Sequence, residues 1–262
     1  MASDDGAVRL SLADGVAAIV FDRPAARNAM TWPMYEALVT ICERLAADRS
    51  VRVATLRGAG GQAFVAGTDI AQFEHFASAD DAVAYERRID ACIDAIASLP
   101  MPTVALVEGY AVGGGLAIAA ACDFRLATPS SRFGVPIART LGNCVSMANL
   151  ARLVAAFGVP RVRRMLMLAE LVDAQEAQAC GFVHKVCAPE ALDAEAAKLL
   201  AALRPLAPLT QTVSKEGLRR LTLAALPDGE DLIRRCYGSA DFREGVAAFV
   251  ERRPPRWRGD AG

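Results

Sequence analysis

Three consecutive glycines, Gly113 to Gly115, limit the possible folds of this chain more than any other sequence feature. The β-branched run Thr103–Val107 before them is typical of a buried strand, and the small apolar residues Leu116–Cys122 after them can form a closely packed helix. A corner without side chains lets a ligand reach N–H groups that the first helical turn leaves unpaired. Such donors suit an anion or a carbonyl oxygen that gains negative charge. Alternatively, the glycines bind no ligand and only let the helix pack tightly on the sheet.

The corner matches neither of two common phosphate-binding motifs. It lacks the Gly-x-Gly-x-x-Gly spacing of a dinucleotide site, and no Lys-Ser or Lys-Thr follows it to complete a phosphate loop. Its ligand therefore has to be identified from the rest of the chain.

Strand and helix patterns alternate through the first half of the chain, which predicts an α/β fold. Val8–Asp22 reads as a hairpin that turns at Asp14-Gly15, and Thr31 can cap a helix that runs to Ala47. The remaining predicted elements are the strands Val51–Arg57 and Phe124–Ala127 and the helices Asp80–Leu99, Pro189–Leu203, Pro208–Ala225 and Ser239–Arg252. The second half is mostly helical.

Composition excludes several classes of function. The 262 residues carry a net charge of −1 without a basic stripe, which argues against nucleic acid as the main partner. No apolar run is long enough to predict a membrane span, and the acidic start of the chain is unlike a secretory signal. Seven cysteines without a Cys-x-x-Cys pair fit free thiols in a reducing cytoplasm. His75 and His184 are too far apart in sequence to suggest a zinc site.

Four segments, in order along nearly the whole chain, resemble the crotonase superfamily, also called the enoyl-CoA hydratase/isomerase family. They are Arg23–Met30, Ala63–Ile70, Gly109–Asp123, and the pair Ser214–Leu218 with Asp241–Phe249. The resemblance implies a spiral of β-β-α turns, followed by a helical region that mediates formation of a trimer or a dimer of trimers. We accordingly predict a spiral core over residues 1–200 that binds acyl-CoA and a C-terminal helical region over 201–262.

The resemblance also implies the substrate class and the site. The substrate is a coenzyme A thioester of the kind used in fatty acid metabolism, with no separate cofactor and no metal. The thioester oxygen is expected between two backbone N–H groups, which motif position assigns to Ala66 and Gly114. The predicted substrate-binding residues are Ala26, Arg27, Ala66, Thr68, Asp69, Ile70, Tyr110, Val112, Gly113, Gly114, Ile137 and Asn143.

The match fails at both glutamates with which the family's hydratases add water. By motif position these would be Ala117 and Ile137, and neither is a carboxylate. Hydration of a conjugated thioester needs one group to deprotonate water and another to protonate the α-carbon. The sequence therefore predicts an acyl-CoA enzyme of the hydratase/isomerase type, a lyase by this resemblance, that works through a stabilised enolate. Decarboxylation, hydrolysis and binding without chemistry stay open.

Other polar residues near the motifs have two interpretations each. The segment after Ile137 contains four such residues, Arg139, Asn143, Cys144 and Ser146. They could face the acyl group, or they could form structural hydrogen bonds and cap helices. Glu74, His75 and Glu86 follow the first oxyanion segment, and we expect all three at the surface. Cys122, Glu108 and Asp123 are expected in structural roles. A serine hydrolase built on Ser146 with His75 or His184 is a further hypothesis, without a Gly-x-Ser-x-Gly elbow to support it.

Overall fold

The computed structural model describes residues 6–76 and 78–259, and the side chains of Gln72, Glu74 and His75 lie outside that description. Within it the chain forms ten strands: β1 (Ala7–Ala13), β2 (Val16–Asp22), β3 (Val53–Gly58), β4 (Ala63–Val65), β5 (Thr103–Val107), β6 (Tyr110–Val112), β7 (Phe124–Ala127), β8 (Arg132–Gly134), β9 (Val172–Asp173) and β10 (Lys185–Val186). It also forms ten α-helices: α1 (Trp32–Ala47), α2 (Ala79–Ala97), α3 (Gly114–Ala121), α4 (Ile137–Thr140), α5 (Met147–Met167), α6 (Ala174–Ala179), α7 (Leu192–Leu203), α8 (Pro208–Leu223), α9 (Glu230–Tyr237) and α10 (Ala240–Val250).

The strands form two sheets that the chain visits alternately. The larger has the order β1-β2-β3-β5-β7-β10 and the smaller the order β4-β6-β8-β9. A strand of the first sheet, a strand of the second and a helix follow one another three times, as β3-β4-α2, β5-β6-α3 and β7-β8-α4. The pairings β3–β5, β5–β7, β4–β6 and β6–β8 are all parallel. This repetition is the predicted spiral of β-β-α turns.

Local sequence signals set many element ends where expected. Asp14 and Gly15 adopt positive φ between β1 and β2, as a tight hairpin turn requires. Thr31 caps α1 by accepting a hydrogen bond from the N–H of Met34. Several predicted bounds differ by a few residues; for example, β3 begins at Val53 rather than Val51, and α3 begins at Gly114 rather than Leu116. The earlier start of α3 places the N–H of Gly114 in the first helical turn, where the helix itself provides no acceptor.

The helices after residue 201 divide into two kinds. α8 buries none of its residues, and Leu209, Val213 and Leu221 on it are exposed. α9 instead packs on α2, so that Ile233 and Tyr237 are buried. The C-terminal region therefore supplies part of the core around α2, next to the cavity described below.

Candidate active site

A cavity of about 230 Å³ lies where the two glycine-rich bends meet. Eight of the predicted site residues line it: Ala66, Thr68, Ile70, Val112, Gly113, Gly114, Ile137 and Asn143. Most of the lining is hydrocarbon, with Phe73, Ile89 and Leu153 among the contributors. Such a cavity suits an acyl chain with a few polar groups that orient it.

Two left-handed glycines bring the bends together. Gly67 has φ of 99° and Gly113 has φ of 56°, and a Cβ on Gly113 would lie 3.7 Å from the Cα of Gly67. The residues that follow them, Thr68 and Gly114, are also adjacent, because a Cβ on Gly114 would lie 3.9 Å from the nitrogen of Thr68. Neither of these two N–H groups has a hydrogen-bond acceptor among the described residues. Two unpaired backbone donors thus sit side by side at the cavity wall.

The expected role of Ala66 is wrong. Its N–H donates to the carbonyl oxygen of Arg27 at 3.1 Å, so this donor is already used within the protein. The neighbouring bridge between Met30 and Thr68 uses the carbonyl of Gly67 and the N–H of Asp69, so the N–H of Thr68 keeps no acceptor in the described part of the chain. The sequence did hold a signal for this position, since each free amide follows a glycine at a bend.

Two buried tyrosines fix Thr68 in place. Its hydroxyl lies 2.9 Å from the Tyr35 hydroxyl and accepts a hydrogen bond from Tyr85 at 3.1 Å. Burial raises the pKa of both phenols, so both stay neutral hydrogen-bonding groups. The position of the free Thr68 amide is therefore set by two helices, α1 and α2, that carry these tyrosines.

Four predicted substrate-binding residues do not line the cavity. Asp69 caps the 3₁₀ helix at Ile70–His75 and forms an ion pair with Arg23 at 2.6 Å, which is a structural role. Arg27 and Tyr110 are exposed together, with the guanidinium carbon 5.7 Å from the ring centre. Ala26 is half-buried beside them in the chain. An exposed ring and a cation suit a large polar group outside the cavity.

The two positions where the family's hydratases carry glutamates do face the cavity. Ala117 and Ile137 both line it, and both present only hydrocarbon.

The position of Glu86 also differs from the prediction. We expected it at the surface, but it is only 5% exposed and it lines the cavity. Burial raises its pKa to about 7; hydrogen bonds from Tyr237 and Ser146 act against this rise, and the Asp90 carboxylate adds to it. Helical spacing could have indicated this, since Glu86 falls three residues after Val83 on the buried face of α2.

Some residues of the loop before α5 line the cavity, and others have structural roles. Asn143 and Cys144 line the cavity, whereas Arg139 is exposed and donates to the Leu168 carbonyl at 3.1 Å. Ser146 caps α5 and donates its hydroxyl to Asp90 at 2.6 Å, which confirms the capping interpretation.

The hydroxyl of Ser146 is therefore committed to a carboxylate. The ring of His184 packs against Phe124, and the side chain of His75 is outside the described residues. The serine-hydrolase hypothesis gains no support from this geometry.

The three residues expected in structural roles have them. Cys122 is buried, and Glu108 forms an ion pair with Arg57 at 2.7 Å. Asp123 accepts from Lys215 at 2.8 Å, which ties α8 to the strand that follows α3.

The described residues contain neither a cluster that could hold a metal ion nor a helix that could span a membrane. No group of three or more histidine, cysteine, aspartate or glutamate side chains in the described part of the chain is placed to hold a metal ion. None of the helices described here combines the length and apolarity needed to cross a bilayer.

Comparison with known proteins agrees with the fold. The sequence profile of the family described as "Enoyl-CoA hydratase/isomerase" matches residues 11–260. The human "Enoyl-CoA hydratase domain-containing protein 2, mitochondrial" is 32% identical over 94% of this chain and 86% of its own.

Two solved structures are similar over almost their full lengths. An enoyl-CoA hydratase/carnithine racemase from Magnetospirillum magneticum has a TM-score of 0.78 at 33% identity, covering 97% of this chain and 96% of its own. A methylmalonyl-CoA decarboxylase in complex with 2-nitronate-propionyl-CoA has a TM-score of 0.88 at 26% identity, covering 97% and 98%.

Proposed function

We propose that this chain, which belongs to the enoyl-CoA hydratase/isomerase family, acts on an acyl-CoA thioester. In this proposal the reaction passes through an enolate that the amides of Thr68 and Gly114 hold. One observation carries this proposal: two adjacent backbone N–H groups without an acceptor among the described residues open into an apolar cavity. A thioester oxygen between them would gain negative charge as a C–H or C–C bond at the α-carbon breaks. Loss of one such donor costs roughly 3 kcal/mol of transition-state stabilisation.

Simple hydration is the less favoured member of this reaction class. Water addition needs two proton-transfer groups, and the hydrocarbon side chains of Ala117 and Ile137 can supply neither. Reactions that form the enolate and quench it with fewer acid or base groups fit the cavity better. The lyase assignment and a place in fatty acid metabolism remain part of the proposal.

The coenzyme A portion would lie along the exposed surface beside the cavity. The ring of Tyr110 and the guanidinium of Arg27 can contact the adenine and a phosphate, with Ala26 beside them. The carbonyl of Arg27 also accepts a hydrogen bond from the N–H of Ala66. The residue proposed to contact coenzyme A is therefore linked directly to the cavity wall. No cofactor other than the coenzyme A of the substrate is included in the proposal.

A trimer or a dimer of trimers is also proposed. The support is that α8 buries none of its residues within one chain while exposing Leu209, Val213 and Leu221. Apolar area of this kind commonly marks an interface. Light scattering after size-exclusion chromatography would test it, and a monomer at micromolar concentration would contradict it.

The proposed location is the cytoplasm. The support is that the seven cysteines are free, as is typical of a reducing compartment. The name of the human relative, in contrast, indicates that this relative is mitochondrial. Fractionation of the source cells would decide between these compartments.

A binding and turnover experiment tests the central proposal. The protein is titrated calorimetrically with a saturated acyl-CoA and with free coenzyme A, and then incubated with 2-enoyl, 3-enoyl and 2-carboxyacyl thioesters under mass detection. We expect the thioester to bind more tightly than free coenzyme A and at least one thioester to be converted. Binding without any conversion would indicate a carrier of acyl-CoA, and absence of binding would refute the proposal.

Decarboxylation of a 2-carboxyacyl thioester is the second candidate. Its support is the TM-score of 0.88 with the methylmalonyl-CoA decarboxylase, against 0.78 with the hydratase/racemase structure. Loss of carbon dioxide leaves the electron pair on the α-carbon, so the enolate forms without a base. Release of carbon dioxide from the 2-carboxyacyl thioester would favour this candidate.

A further inference from the structure

The carboxyl group of Glu86 is held in a defined orientation at the cavity wall. The Tyr237 hydroxyl donates to one oxygen at 2.5 Å, and the N–H of Ser146 donates to the other at 3.2 Å. Tyr237 comes from α9 and Ser146 from the loop before α5, so two distant parts of the chain meet on this group. Among the described carboxyl side chains, only that of Glu86 lines the cavity.

The surroundings of Glu86 are largely aromatic. The rings of Tyr85, Tyr237 and Phe73 form a connected cluster, with the Tyr85 and Tyr237 ring centres 6.3 Å apart. Desolvation by burial is the main reason why the pKa of Glu86 is raised to about 7. A carboxyl group in this position can exchange a proton near neutral pH.

Among the described residues, the other titratable groups that act on Glu86, the neutral Tyr35 phenol included, carry no positive charge. Asp90 lies on its own helix, the thiol of Cys236 on α9, and the thiol of Cys144 in the loop before α5. The Asp90 carboxylate and the Cys236 thiol both act to raise the pKa of Glu86, in the same direction as burial.

A second observation points to a ligand at this position. Asn143 donates its amide to the Tyr237 oxygen at 3.2 Å, and its own side-chain oxygen is buried without a donor among the described residues. A buried acceptor left unpaired costs about 1–3 kcal/mol unless a donor from outside the protein reaches it. Because Asn143 lines the same cavity, a water molecule or a hydroxyl of the acyl group can be that donor.

We propose that Glu86 is the catalytic acid and base of this site, and that Tyr237 is the positioning residue that holds it. This inference rests on the proposed function, because it requires an acyl-CoA in the cavity. In the forward step the carboxylate takes a proton from the α-carbon, the C–H electron pair moves into the new carbon–carbon double bond, and the thioester oxygen becomes the enolate oxygen. The carboxylic acid then returns the proton.

The return step defines the reactions that one carboxyl can support. Return to the α-carbon gives proton exchange, and return to the γ-carbon of a 3-enoyl thioester gives the 2-enoyl isomer. Both conserve all atoms and need no co-reactant. Water addition would need a second acid or base. A single carboxyl therefore favours exchange and isomerisation over hydration.

The test measures exchange of the α-proton of a saturated acyl-CoA in D₂O, together with calorimetric affinity, for wild type and three variants. Glu86→Gln preserves shape and should lose at least about 10²-fold in exchange rate while its affinity changes less than about 3-fold. Glu36→Gln, at an exposed carboxylate on α1, is the control and should exchange at the wild-type rate. Tyr237→Phe should retain exchange but move the rise of rate with pH to higher pH, because it removes a hydrogen bond that stabilises the carboxylate.

The outcomes separate this inference from the proposed function. Equal exchange rates in wild type and Glu86→Gln would overturn the inference but not the acyl-CoA assignment. A pH profile of Tyr237→Phe identical to that of wild type would have the same consequence. A wild-type protein that binds the thioester but exchanges no α-proton would also overturn it. Failure of wild type to bind any acyl-CoA would overturn both.

Discussion

Substitution of Gly115 by alanine tests how closely the two bends must approach. A Cβ at this position would lie 2.0 Å from the carbonyl oxygen of Val65 and 2.8 Å from its carbonyl carbon. Both are backbone atoms of β4, so no side-chain rotation can relieve the contact. Since Cβ contacts below 3.0 Å essentially never occur, α3 and β4 must separate by about 1 Å.

The expected magnitudes follow from that displacement. Insertion of a methyl group into a packed interface costs about 1–3 kcal/mol of stability, which exceeds the gain of about 1 kcal/mol from alanine in a helix. Val65 leads directly to Thr68, and Gly115 follows Gly114, so the separation also moves the two free amides apart. If one donor is lost to the thioester oxygen, turnover should fall about 10²-fold.

Urea unfolding and acyl-CoA turnover measure the two effects on the same variant. Gly217→Ala is the matched control for a methyl group added in a helix: it lies in α8, where the methyl group would have no atom within 4 Å in the same chain, and turnover should be unchanged. A Gly115→Ala protein as stable and as active as wild type would show that the bends tolerate separation, and the reasoning about the two amides would be refuted.

Three further predictions concern stability, an ion pair and metals. The folded-state pKa of Glu86 near 7 exceeds the ordinary value of 4.5, so its contribution to wild-type stability is complete below pH 4.5 and is lost as pH rises through 7. The free energy of unfolding of Glu86→Gln, measured in urea, should therefore rise by about 3 kcal/mol relative to that of wild type between pH 4.5 and about pH 8.5. A difference between the two proteins that does not change with pH would contradict the buried position of Glu86. Lys215→Met leaves Asp123 with only Thr103 as a donor among the described residues and should cost about 2 kcal/mol, whereas the additional substitution Asp123→Asn should recover part of that loss. Dialysis against EDTA should leave turnover unchanged, because backbone amides supply the proposed charge stabilisation. Loss of turnover on dialysis that a divalent ion then restores would contradict this prediction.

Features that depend on neighbouring residues could be predicted from the sequence. The turn at Asp14-Gly15, the cap at Thr31 and the buried strand before Gly113 each result from interactions within a few residues, and the structure has them where expected. The ordered motifs predicted the spiral of β-β-α turns, which the alternation of the chain between two sheets confirms. Gly114 was also placed correctly at the cavity wall.

Two features of the cavity depend on contacts between distant segments: which backbone amide lacks an acceptor there, and which carboxyl group is buried there. The N–H of Ala66 is used because the carbonyl of Arg27, from a separate segment, reaches it, and the N–H of Thr68 meets no such acceptor among the described residues. Glu86 is buried because Tyr237, 151 positions later, covers and binds it. Hydrogen-bond partners and desolvation at these positions come from segments far apart in the chain, so local spacing cannot specify them.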